Sequence, residues 1–131
     1  MKYLLMMHTP RGNGEYEYHD WAPEDWSAHM DHLRELNRAL TDAGELAGIV
    51  ALTAPGGAKL VRAGKQGKPE TDGPFPEAKE FLAGFWIVDV DSPERAYAIA
   101  ARASAAPGRG GVPLNMPIEV RQVMSAPPSD A

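Results

Sequence analysis

Apolar residues recur along this chain in two periods, and the alternation between those periods maps its elements. Residues 1–8 (MKYLLMMH) form a short continuous apolar run, which predicts a strand covered on both faces. From Glu24 onward Trp26, Met30, Leu33, Leu36, Leu40 and Ala43 fall three or four apart, one stripe of a helix. Pro23 suits the first turn, Glu24 and Asp25 complement the positive helix end, and Gly44 supplies a stop. Residues 46–52 (LAGIVAL) and 59–63 are expected to be two paired strands joined around Pro55-Gly56-Gly57. Asp72-Gly73-Pro74-Phe75 signals a turn, after which residues 77–82 suit a short helix ended by Gly84. Residues 85–90 (FWIVDV) predict a strand apolar on both faces. Ser92-Pro93-Glu94 opens a second helix, with Ala96, Ile99, Ala100 and Ala103 on its apolar side. The glycines and prolines of residues 107–113 read as a loop, and residues 118–124 (IEVRQVM) alternate as a last strand.

This order belongs to the α+β class and matches a ferredoxin-like sandwich with additions. Two full helices cover only one face of a sheet. Residues 3–7 and 85–90 are apolar on both sides, so the second face needs its own cover. A partner sheet in a two-fold dimer supplies it; so would the segment carrying Tyr16, Tyr18 and Trp21, folded over the sheet of a monomer. That segment, residues 11–25, has no sustained period and reads as an ordered loop. Its aromatics either cover a cleft or pack on the first helix or a partner.

Composition narrows the classes. With 131 residues, 44% of them hydrophobic, the chain makes one domain, residues 1–125, followed by a frayed tail at 126–131. The absence of cysteine excludes disulfides, zinc ribbons, thiol catalysis and iron–sulfur clusters. A net charge of -5 with 13 Lys+Arg argues against nucleic acid or an anionic membrane as partner. The run at residues 3–7 is too short for a signal-peptide core or a membrane span, and a cytoplasmic location is expected. Lys59, Arg62, Lys65 and Lys68 make one hairpin locally basic, either as a solvated face or toward an anionic ligand.

The chemistry-bearing residues are few. His32 lies at the edge of the helical stripe, where a side chain can face a cleft while held by packing; imidazole there suits general acid/base work. His29 lies inside the stripe. His29-x-x-His32 raises metal binding, but a third ligand could come only from His8 or Asp72, and no metal or other cofactor is expected. Asp72 either shapes its turn or orients an imidazole. Gly64-Lys65-Gln66-Gly67-Lys68 lacks the spacing of a phosphate loop, and Gly108-Arg109-Gly110-Gly111 lacks the strand-to-helix setting of a dinucleotide fingerprint.

Residues 72–96 (DGPFPEAKEFLAGFWIVDVDSPERA), with the MKYLLMMH start and the IEVRQV end, resemble the DGPF branch of the YCII-related family. Ala83 stands where that branch often has a second glycine. The resemblance implies a dimeric α+β barrel of ferredoxin-like subunits. It also implies a His-Asp pair, because His32-Leu33-x-x-Leu36 is similar to the family's histidine stretch; Asp72 is the candidate partner. The expectation is then a small, metal-free homodimer that binds a small molecule between sheet and first helix. Tyr16, Tyr18, Trp21, Trp26 and His29 would line the site, and His32 with Asp72 would transfer a proton in lyase- or isomerase-type chemistry. The rival is a non-catalytic regulatory or partner-binding module, since the resemblance extends to proteins associated with sigma factors.

Overall fold

Side chains alternate along the first strand, and that alternation separates a finished layer from an open one. The computed structural model describes residues 1–10, 12, 16–74 and 78–124, with the backbone alone for Glu17 and His19. The elements run β1 (Lys2–Pro10), α1 (Pro23–Asp42), β2 (Leu46–Ala51), β3 (Leu60–Ala63), β4 (Pro69–Asp72), β5 (Glu80–Asp89), α2 (Pro93–Ser104) and β6 (Ile118–Gln122). The main sheet has the order β2-β5-β1-β6, and every neighbouring pair is antiparallel. β5 fills the gap between β1 and β2 left by the α1 crossover, and β1 fills the gap between β5 and β6. This is the ferredoxin-like α+β arrangement.

Both helices cover the same face. Tyr3 and Leu5 of β1, Trp86 and Val88 of β5, Leu36 and Leu40 of α1, and Ala96, Ile99, Ala100 and Ala103 of α2 form one buried cluster. The alanines of α2 let that helix sit close to the sheet, while Ser92 caps it by accepting a bond from the Arg95 amide at 3.2 Å. The Trp86 indole, buried against α1, donates to Asn37 Oδ1 at 2.8 Å, so its polar edge is satisfied inside the layer. Leu4 and Met6 of β1, Phe85 and Ile87 of β5 and Val50 of β2 point to the other face, away from α1 and α2.

Two expectations are corrected. β2 and β3 do not pair with each other: β2 adds to the main sheet beside β5, and β3 pairs with β4 in a separate two-stranded sheet. A short 3-10 turn at Pro55–Gly57, with Pro55 buried, carries the chain away from β2 instead of folding it back. The short helix expected at residues 77–82 is also absent where it can be judged. Residues 75–77 lie outside the described part, and from Glu80 the chain is strand, with Glu80, Phe81 and Leu82 paired to Pro10, Thr9 and His8. Gly84 is no helix breaker but a close-approach residue, since a Cβ there would lie 2.6 Å from the Val50 carbonyl oxygen. The tail at 126–131 lies outside the described residues.

Candidate functional site

The N-terminal end of α1 gathers the aromatic residues. Trp26 and His29, three apart on one helical face, stack with ring centroids 5.7 Å apart and planes 17° from parallel. The chain before the helix makes a 3-10 turn at Glu17–Asp20, which turns Tyr18 back onto Trp26 at 4.4 Å. Tyr16 stacks on Tyr18 at 5.1 Å, and Trp21 meets His29 and Trp26 edge-on at 5.5 and 6.5 Å. The Tyr16 hydroxyl donates to the Leu52 carbonyl at 2.5 Å and lies 3.0 Å from that of Thr53, which joins the cluster to the end of β2. Burial raises the pKa of both tyrosines, with Tyr16 adding to the effect at Tyr18, so the phenols remain neutral.

The loop after α2 closes one side. Arg109 reaches Asp20 at 2.9 Å, and the Gly110 amide donates to Asp25 Oδ2 at 3.0 Å. His29, only 6% exposed, donates from Nδ1 to the Pro107 carbonyl at 2.9 Å, leaving Nε2 unprotonated in the neutral ring. Loss of water around this imidazole lowers its pKa, partly opposed by the Pro107 bond and reinforced by nearby His32. His29 is thus held neutral and shaped by packing. Tyr16, Tyr18, Trp21 and Trp26 stay half-buried and present ring faces and edges, surfaces that suit flat or cationic molecules.

The structure brings together Tyr16, Tyr18, Trp21, Trp26 and His29, but does not join His32 to Asp72. His32 Nε2 donates to the Arg102 carbonyl at 2.7 Å, tying α1 to α2. Asp72 is exposed at the end of β4 and faces Arg62 of β3 at 3.5 Å. Deep between α1 and the sheet, Leu5, Leu36, Leu40, Trp86 and Val88 fill the layer. Among the described residues no three His, Cys, Asp or Glu groups converge as a metal site, and His29 and His32 each bond a different carbonyl. Lys59, Arg62, Lys65 and Lys68 are all exposed. Sequence reasoning missed Asp20, Arg109 and Pro107 as the frame of the aromatic cluster. Their partners lie far along the chain, and only Asp25 carried a local signal, as a first-turn acid.

A four-stranded sheet of ferredoxin-like order, with both helices on one face and aromatic rings gathered at the start of the first, defines a small α+β protein whose candidate site is aromatic. The chain belongs to the YCII-related domain family, which it matches over residues 1–113. It is also similar to Uncharacterized protein R00369 of Rhizobium meliloti (strain 1021), 31% identical over 80 residues. That match covers 61% of this chain and 64% of the relative. Among the described residues no helix is long and apolar enough to cross a membrane.

Proposed function

We propose that this chain is a small-molecule-binding protein that works as a homodimer, a dimeric α+β barrel in which the open sheet faces of two copies meet. The ligand rests against Tyr16, Tyr18, Trp21 and Trp26, where the start of α1 meets the end of the sheet, and is flat and at least partly apolar. The observation that carries the binding reading is the half-exposed aromatic cluster on a frame fixed by Asp20, Asp25 and His29. Ordered aromatic surface of this kind favours recognition at low entropic cost. His29 serves as a wall of the site. The separate partners of His32 and Asp72 favour binding over a His32–Asp72 proton relay.

Native mass spectrometry of the chain mixed with a metabolite library tests this reading. A retained flat or aromatic ligand, lost in Trp26→Leu while the assembly mass is kept, is the expected result. Retention undiminished in Trp26→Leu contradicts the placement. A partner-binding module, of the kind associated with sigma factors, is the second reading; the apolar face of half-buried Leu4, Met6, Phe85 and Ile87 with exposed Val50 favours it equally, and a monomeric mass would turn the reading that way.

A further inference from the structure

The open face of the sheet carries its charge unevenly. Tyr3, Leu5 and Met7 of β1 face the helices, so Lys2, Leu4, Met6 and His8 face the open side. Their partners on β5 share that side: Asp89 opposite Lys2, Ile87 opposite Leu4, Phe85 opposite Met6, and Glu80 one row past His8, opposite Pro10. On β6, Arg121 stands beside Leu4 and Glu119 beside Met6; on β2, Gly48 and Val50 stand beside Ile87 and Phe85. The centre is therefore two apolar rows, Leu4 with Ile87 and Met6 with Phe85. The cations Lys2 and Arg121 lie toward the end where β1 begins, and the carboxylates Glu119 and Glu80 toward the end where it finishes. Asp89 breaks this order, but its carboxylate pairs with the amino terminus at 3.1 Å. Glu119 lies 3.0 Å from His8 Nε2 and keeps about half of its side chain exposed. Arg121 is exposed and makes no ion pair among the described residues, although Glu119 is two residues away on the same side of β6.

Two such faces, packed with their strands aligned, can meet about a two-fold axis that runs along the strands or across them. An axis along the strands lays β6 of one copy on β2 of the other. Arg121 and Glu119 would then be covered by Gly48 and Val50, which desolvates two charges against apolar surface. An axis across the strands, between the two apolar rows, lays β6 on β6. The Leu4 row of one copy then rests on the Met6 row of the other, and each Arg121 meets the second copy's Glu119. The same axis keeps apart the two basic hairpins carrying Lys59, Arg62, Lys65 and Lys68, since each hairpin joins the end of β2 to the start of β5. We propose that the open face takes a second copy of this chain with its strands reversed end for end, fixed by reciprocal Arg121–Glu119 pairs. This orientation rests on the homodimer reading and adds the residues that specify it. Each Glu119 lies between His8 of its own chain and Arg121 of the other. Reversal also sends the two aromatic clusters, each tied to the end of β2 through Tyr16, to opposite ends of the dimer, which gives it two separate ligand sites.

The test uses two charge-reversed chains, Glu119→Arg and Arg121→Glu, purified separately, checked for folding by circular dichroism, and then mixed for native mass spectrometry. Each variant alone sets like charges opposite each other twice per dimer, and its self-association should be at least about tenfold weaker than that of wild type. The mixture restores both pairs of opposite charge. Mixed dimers should then form as readily as wild-type dimers and far exceed the one half that random pairing gives. A milder cycle covers the case in which a reversed chain does not fold. Arg121→Gln and Glu119→Gln should each weaken self-association, and the double variant should weaken it no further, because both remove the same pair. Wild-type dimers together with random pairing of the reversed chains, or losses that add in the milder cycle, overturn the reversed arrangement and leave the homodimer standing. A single-chain mass for the wild type removes both.

Discussion

The two faces of the main sheet are built from the same strands and nearly the same residue types, yet they end in different states. On the helix side Tyr3, Leu5, Trp86 and Val88 are at most 5% exposed, and the one buried indole N–H has its acceptor. On the other side Leu4, Met6, Phe85 and Ile87 are half-buried and Val50 is 41% exposed. Neighbours in sequence therefore do different work. Leu5 is spent wholly on folding the single chain, while Leu4 keeps part of its apolar surface in reach of solvent. An apolar face left open by folding is the usual mark of an interface.

The largest effect is expected from Leu5→Ala, which removes a side chain with no exposed surface and should cost about 2–5 kcal/mol in denaturant unfolding. Leu4→Ala, measured at protein concentrations where chains are separate, should cost less than half as much. Equal losses at the two positions would erase the distinction between the faces. Next comes Phe85→Glu, which places a charge in the centre of the open face. It should weaken self-association at least about 100-fold, roughly 2.7 kcal/mol, while thermal unfolding of the separated chain changes little. Ser92→Ala removes the cap of α2 on the finished face and should cost about 1 kcal/mol without altering assembly.

The smallest effect is a pH slope from His29. Its folded pKa lies below the ordinary 6.5, so the unfolded chain binds the proton more readily. Its contribution to stability is fully present above pH 6.5 and falls as pH drops below that value, levelling once the folded imidazole also titrates. His29→Asn keeps a donor for the Pro107 carbonyl and removes the titration, so its urea midpoint should show a shallower decline between pH 7 and 5 than wild type.

The finished face was readable in the sequence because its determinants are local. The Trp26 to Ala43 spacing, the Ser92 cap and the 85–90 run mark α1, α2 and β5 without reference to distant residues, and apolar residues on both sides of two strands expose the shortage of helices. The misreadings share a different cause. Nothing in Pro69-Glu70-Thr71-Asp72 announces a strand, since β4 is exposed along its whole length and needs no alternation to satisfy a core. Residues from Glu80 are held as strand by pairing with β1, a long-range effect that overrides local helical preference. The aromatic residues were recognisable one by one, but Asp20–Arg109 and His29–Pro107 join segments too far apart for spacing to reveal. His32 and Asp72 illustrate the same limit. Residue type suggested a pair, but His32 hydrogen-bonds the backbone carbonyl of Arg102, and Asp72 lies exposed with its carboxylate 3.5 Å from the Arg62 guanidinium.

The central claim, that the open face is completed by a second copy, is tested most directly by light scattering of the purified chain at micromolar concentration beside Phe85→Glu. The expected result is a mass twice the 14.2 kDa of one chain for the wild type and a single-chain mass for the variant. A wild-type mass near 14.2 kDa across that concentration range would contradict it.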